Sequence, residues 1–261
     1  MLFAANLSIL WPGLPLAERF ERAARAGFGA VELWWPGDAD ARALPALAAR
    51  WNLRIVLLNF DAGDMAAGER GLAADPARRG YLREHVPTAL GIAIECGCPR
   101  LNLLVGLRQD RYSLDEQMAC ARDNVAWAAD LAAQAGLEVM IEAVNPADNG
   151  PYLLTTTAAS AGFIEQAGRD NVRLQYDAYH MQRTEGDLCA TMDAHWPLIG
   201  HIQIADVPGR HEPGTGEINY PFVLDHIAAK GYQGAVSLEY HPSTGRAEDS
   251  FGWLERYRAE R

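Results

Sequence analysis

Lysine is almost missing from this chain. Among 23 basic residues only Lys230 is a lysine, and it falls in a helical stretch. Schiff-base chemistry therefore has no plausible nucleophile. Clusters of positive charge are missing too, and 34 acidic residues give a net charge of -11, which argues against a nucleic-acid surface. Seven scattered histidines do not make the His-rich, multi-zinc mouth of a DNA-repair endonuclease. The four cysteines, Cys96, Cys98, Cys120 and Cys189, include no CxxC pair and are too few for a disulfide framework. A reducing cytoplasm is the expected setting. No apolar run approaches the ~20 residues of a membrane span, and Pro12, Gly13 and Pro15 break the uncharged N-terminal stretch, which has no basic flank. Neither a targeting signal nor a membrane segment is expected. GTGEIN lacks a following GK and is a weak nucleotide signal.

What is present is a regular alternation. Short apolar runs are expected as strands at 3–7, 30–33, 55–58, 101–105, 138–142, 172–176, 199–204 and 235–239, each followed by a helical pattern. The helices are expected at about 16–26, 40–51, up to 96 with Pro87 as a kink point, 113–135, 156–167, 186–195, 220–229 and 247–258. Ser113 and Glu116 form a capping box, and Gly136 closes that helix. A long loop from Asn59 to Pro76 carries GDMAAGERG. Eight βα units with no linker or repeat boundary predict an α/β fold, a (β/α)8 TIM barrel in one domain across residues 1–261, with its site at the C-terminal ends of the strands.

Four consecutive strands in the second half each end on or hold one oxygen donor: Glu142 after VMI, Asp177 after LQY, Gln203 within HIQI and Glu239 after VSL. Each is about one βα repeat from the next, so barrel geometry brings them to one mouth. Any one alone reads more often as a helix cap or ion-pair partner than as a ligand. Three converging carboxylates would repel unless a cation sat among them. Oxygen donors favour Mg2+ or Mn2+ over Zn2+, with Co2+ compatible. Glu142 and Glu239 would flank that cation and serve as an acid/base pair for proton transfer next to a carbonyl.

Three further residues are candidates for holding substrate. His180, three residues past Asp177, either holds a substrate oxygen or caps a helix. Arg210 follows strand seven. Arg70 either clamps a substrate carboxylate or pairs with Glu69 or Asp64. Trp34 and Trp35 either roof the site or pack, and Cys96 and Cys98 read as packing residues.

FAANLSIL, GDMAAGERG, LNLLVG, IEAVN, LQYDAYHMQRTEGDL, GHIQIADVPGRHEPGTGEINY and LEY resemble the hydroxypyruvate isomerase family of the xylose isomerase-like barrels, nearly end to end. Gln203 separates this family from related sugar epimerases, which usually have His there. The resemblance implies a metal site at Glu142, Asp177, Gln203 and Glu239. It also implies interconversion of hydroxypyruvate and tartronate semialdehyde (2-hydroxy-3-oxopropanoate) through an enediol, with a small anionic hydroxy-oxo acid as substrate and neither nucleic acid nor membrane as partner. A homo-oligomer is compatible with the sequence. Leu58 and His241 depart from the family pattern and bear on the substrate. A 2-oxo-tetronate isomerase, and behind it a ketose 3-epimerase, are the alternatives.

Overall fold

In the computed structural model, which describes residues 1–258, eight parallel strands close into a barrel in chain order. They are β1 Leu2–Asn6, β2 Ala30–Leu33, β3 Arg54–Asn59, β4 Arg100–Asn102, β5 Glu138–Glu142, β6 Val172–Asp177, β7 Ile199–Ile204 and β8 Ala235–Leu238. Closure comes from β1 pairing with β8 through Ala5 and Leu238. Strands such as VMI in β5 are apolar on both faces because one face meets the helices and the other the barrel interior. Among the described residues no helix is long and apolar enough to cross a membrane.

Most elements follow the expected alternation, and the departures have local causes. Strand one stops at Asn6, not residue 7, because the Asn6 side chain accepts from the Ser8 and Ile9 amides and caps a short helix, Leu7–Leu10. The helix expected over 40–51 is two, Asp38–Ala41 and Leu44–Trp51, with Pro45 in the first turn of the second, where its missing N–H costs nothing. Pro87 lies inside an unbroken helix, Arg79–Cys96. The final helix expected over 247–258 is two 3-10 turns, Ala247–Ser250 and Gly252–Leu254, before a single α-turn, Glu255–Arg258.

Two departures shape the mouth. β4 ends at Asn102, not residue 105, and Val105 instead forms an antiparallel bridge with Gly71. That bridge needs glycine: Gly71 has φ +114°, and a Cβ there would lie 2.3 Å from the Leu104 carbonyl oxygen. The GDMAAGERG loop is thereby tied down across the strand ends. An unforeseen helix, Ala178–Thr184, starts directly after β6, with Asp177 as its N-cap.

Candidate active site

Polar side chains fill the C-terminal half of the barrel interior. Glu142, the last residue of β5, accepts at Oε2 from Asn102 Nδ2 (2.8 Å) and Gln175 Nε2 (3.0 Å). Asp177 divides its oxygens: Oδ1 accepts from the Tyr179 and His180 amides, and Oδ2 faces Arg210 Nη2 at 3.1 Å. Glu239, just past β8, accepts at Oε1 from Asn6 Nδ2 (3.0 Å) and Trp34 Nε1 (2.8 Å), and at Oε2 from Arg210 Nη2 (2.5 Å). All three carboxylates are buried. Burial, then the charges of Glu239 and Asp177, pushes Glu142 well above the usual carboxylate range. Burial raises Glu239 to about 8, with Arg210 pulling the other way.

Arg210 comes from the loop after β7, in a left-handed backbone conformation (φ +55°). Its guanidinium bridges Asp177 and Glu239, lies over the Tyr179 ring at 5.1 Å, and donates through Nε to the Glu239 carbonyl at 3.1 Å. Burial opposes its charge, but Glu239, Asp177 and Glu142 together raise its pKa. Asp206, fully buried, anchors the loop by accepting from the backbone amides of Val207, Gly214, Gly216 and Ile218.

His180 is buried beside the same carboxylates, with Nε2 3.5 Å from Asp177 Oδ2 and 3.8 Å from Glu142 Oε1. Burial lowers its pKa to about 4 despite Asp177, so the ring is neutral. Its tautomer follows from its partners. Asn145 Oδ1 accepts from the Asp148 amide, which turns Nδ2 toward Asp148 Oδ2 and His180 Nδ1, the latter at 2.7 Å. With Nδ1 accepting, the ring proton sits on Nε2 and points at the carboxylates. His180 thus stands as a hydrogen-bond donor.

Glu142, Asp177 and His180 bring three possible ligand atoms within 4.8 Å of one another. With the His180 proton on Nε2, the donors open to a cation are the carboxylates and the Gln203 amide oxygen. Gln203 Oε1 accepts from Gln175 Nε2 at 2.7 Å and keeps a second lone pair. Arg210 pairs with two of the three buried carboxylates, Asp177 and Glu239, and leaves Glu142 without a cationic partner among the described residues, so this oxygen set fits a hard divalent ion.

Glu142, Glu239, His180 and Arg210 line a cavity of about 50 Å³, room for a few water-sized groups, together with Trp34, Asn59, Met65, Arg70, Leu104, Val144, Asn149 and Tyr152, while Asp177 and Gln203 lie behind that lining. A cleft of about 1110 Å³ outside the barrel, along helix Leu16–Arg25, is far larger but holds none of these residues. Arg70 does not pair with Glu69 or Asp64. It donates to Asn149 Oδ1 and to the Met65 and Glu69 carbonyls, while Glu69 pairs with Arg78. Leu58 is a correction: it pairs with Leu101 and packs in the main apolar cluster, and its neighbour Asn59 is what reaches the cavity. His241 is exposed and acts through its backbone, donating its amide to the Arg210 carbonyl. Trp34 belongs to the site, whereas Trp35 packs edge-on against His85.

Sequence reasoning missed the floor of the site: Asn6, Glu32, Asn102, Gln175 and His201. The available signal was a charged or amide residue inside an otherwise apolar strand, as in AVEL of β2.

The family described as xylose isomerase-like TIM barrel matches residues 20–257. A hydroxypyruvate isomerase of Escherichia coli (strain K12) is 40% identical over 256 residues, covering 98% of this chain and 99% of that protein. A 2-oxo-tetronate isomerase of Haemophilus influenzae is 36% identical over 256 residues, covering 98% and 99%. A solved structure from Brucella melitensis, described as an AP endonuclease of family 2, superposes with TM-score 0.93 at 37% identity, covering 98% of each chain.

Proposed function

The chain belongs to the xylose isomerase-like TIM barrel family and, within it, to the hydroxypyruvate isomerase group of isomerases, and from that premise we propose that it interconverts hydroxypyruvate and tartronate semialdehyde. The observation that carries this reading is the approach of Glu142 and Glu239 to one small cavity whose other wall holds Arg70. Arg70 meets the substrate carboxylate. Its Nη2 has no hydrogen-bond partner among the described residues, so it is available for that contact. His180 Nε2–H and Arg210 hold the C2 and C3 oxygens. One glutamate takes the C3 proton, leaving an enediol, and the proton is delivered to C2 as the oxidation level passes from one carbon to the other. Burial favours this step by keeping water from the carboxylates.

Glu142, Asp177, Gln203 and Glu239 would hold Mg2+ or Mn2+, which when bound would supply Lewis acidity to the reaction. The cytoplasm is the proposed compartment. A 2-oxo-tetronate differs from hydroxypyruvate by one CH2OH, and the Haemophilus relative supports it as the second reading. An endonuclease role is disfavoured by net charge -11 and by a mouth lined with carboxylates, which would repel a phosphate backbone. Incubation in D2O with hydroxypyruvate, a 2-oxo-tetronate and a free ketohexose, followed by proton NMR, tests the proposal. Deuterium entering the three- or four-carbon acid is expected; turnover of the ketohexose alone would refute it.

A further inference from the structure

Glu32 lines no part of the cavity, yet it is completely buried and ties together the floor beneath it. Its Oε1 accepts from Gln203 Nε2 (2.8 Å) and Asn6 Nδ2 (2.9 Å), and its Oε2 from His201 Nε2 (2.6 Å). Asn6 Nδ2 also donates to Glu239 Oε1 at 3.0 Å, and on the other side Gln175 Nε2 donates to both Gln203 Oε1 and Glu142 Oε2. Glu142 and Glu239 are therefore joined under the cavity by an unbroken chain through Gln175, Gln203, Glu32 and Asn6.

We propose that Glu32 is a positioning residue that fixes which end of the Gln203 amide is turned toward Gln175 and Glu142, and that it holds the Glu239 carboxylate in place through Asn6. This rests on the reading of Gln203 as a ligand. A side-chain amide has a donor end and an acceptor end of nearly equal size, and only its neighbours decide between them. An ionised carboxylate accepts and never donates, so Glu32 takes the Gln203 NH2 and leaves Oε1 toward Glu142. An amide at position 32 would carry no such instruction, because its own NH2 could meet Gln203 Oε1. Burying a carboxylate in a barrel floor is costly, and a neutral isostere would be the cheaper occupant if packing were all that position 32 had to do. The cost is met locally by the three donors, of which His201 has Nδ1 without a hydrogen-bond partner among the described residues.

The test is Glu32→Gln in the full chain, read three ways. Titration of metal-free protein with Mn2+ by calorimetry should show affinity reduced about 10–100-fold, as expected on loss of an outer partner of a ligand. The unfolding midpoint of metal-free protein is read beside it, and the loss of affinity should exceed what any fall in that midpoint accounts for. The Gln203 side-chain NH2 signals, assigned by their loss in Gln203→Glu, should exchange slowly with solvent in the unmutated protein and faster in Glu32→Gln. Unchanged Mn2+ affinity and exchange would overturn the proposal. So would a loss of affinity that only tracks a fall in the unfolding midpoint, which marks a purely structural residue. Should the unmutated protein bind no Mn2+, the ligand reading fails, while the exchange measurement still decides the orienting role.

Discussion

Arg210 reaches Glu239 twice, from Nη2 to the carboxylate Oε2 at 2.5 Å and from Nε to the backbone carbonyl at 3.1 Å. A guanidinium so fixed serves as counter-cation to Asp177 and Glu239. Arg210→Ala leaves two buried carboxylates without their partner, at roughly 3 kcal/mol, or about 6–12 °C in the unfolding midpoint of metal-free protein. Added Mg2+ or Mn2+ should recover part of that loss. Thermal melts with and without cation check this, and an unchanged midpoint would show that Arg210 compensates nothing.

Glu142→Gln separates stability from activity. The substitution replaces a carboxyl whose ionisation is opposed by burial and then by the charges of Glu239 and Asp177, so metal-free protein should gain on the order of 1 kcal/mol, about 2–4 °C, at neutral pH. Isomerase turnover should fall by about 10²–10⁴-fold, together with C3-proton exchange. Exchange at the unmutated rate would remove Glu142 from the acid/base pair.

Chelation tests the oxygen cluster as a whole. Binding at 100 times the dissociation constant stabilises a fold by about 2.7 kcal/mol, so stripping the cation should lower the midpoint by about 5–10 °C and abolish turnover. Readdition of Mg2+ or Mn2+ should reverse both effects. A midpoint indifferent to chelator and cation would count against a metal site.

Arg70→Ala bears on substrate binding more than on chemistry. Loss of a charged hydrogen bond of about 1.5–3 kcal/mol should raise KM roughly 10–100-fold with a smaller change in kcat. Arg70→Lys should recover only part, because an ammonium does not match a carboxylate bidentately. An unaltered KM would place the carboxylate elsewhere.

His85 gives stability a pH dependence. Burial lowers its pKa below 6.5, against the pull of Asp61 and Asp38, and the neutral ring accepts the Asp61 amide at 3.0 Å. The unfolded chain therefore binds the proton at higher pH than the folded one. The neutral ring's contribution is complete above about pH 6.5 and is lost as pH falls toward the lowered folded value. The unmutated protein should lose more stability between about pH 8 and about pH 5 than His85→Gln, as melts at the two pH values would reveal.

Strand and helix order was legible because apolar runs of four to six residues, punctuated by Gly and Pro, leave one architecture open at this length. Glu142, Asp177 and Glu239 were legible for a related reason: a carboxylate ending an apolar strand stands out, and barrel closure predicts where it goes. Helix Ala178–Thr184 was not, because Asp177 both ends β6 and caps that helix, so one residue carries two signals. Glu32 was hidden differently. Its partners, Asn6, His201 and Gln203, come from β1 and β7, and nothing within β2 announces them. The tie between Gly71 and Val105 likewise depends on a backbone approach that composition does not encode.

The bond from Asn6 to Glu239 spans 233 positions of the chain, beside the pairing of β1 with β8 that seals the barrel. A chain emerging from the ribosome N-terminus first carries Asn6 and Glu32 through nearly all of its synthesis before Glu239 arrives to meet them. On the proposed role of Glu239, sealing the cylinder and arming its chemistry are one event in time, and a nascent chain, however much barrel it has wound, would be inert until its last strand docks.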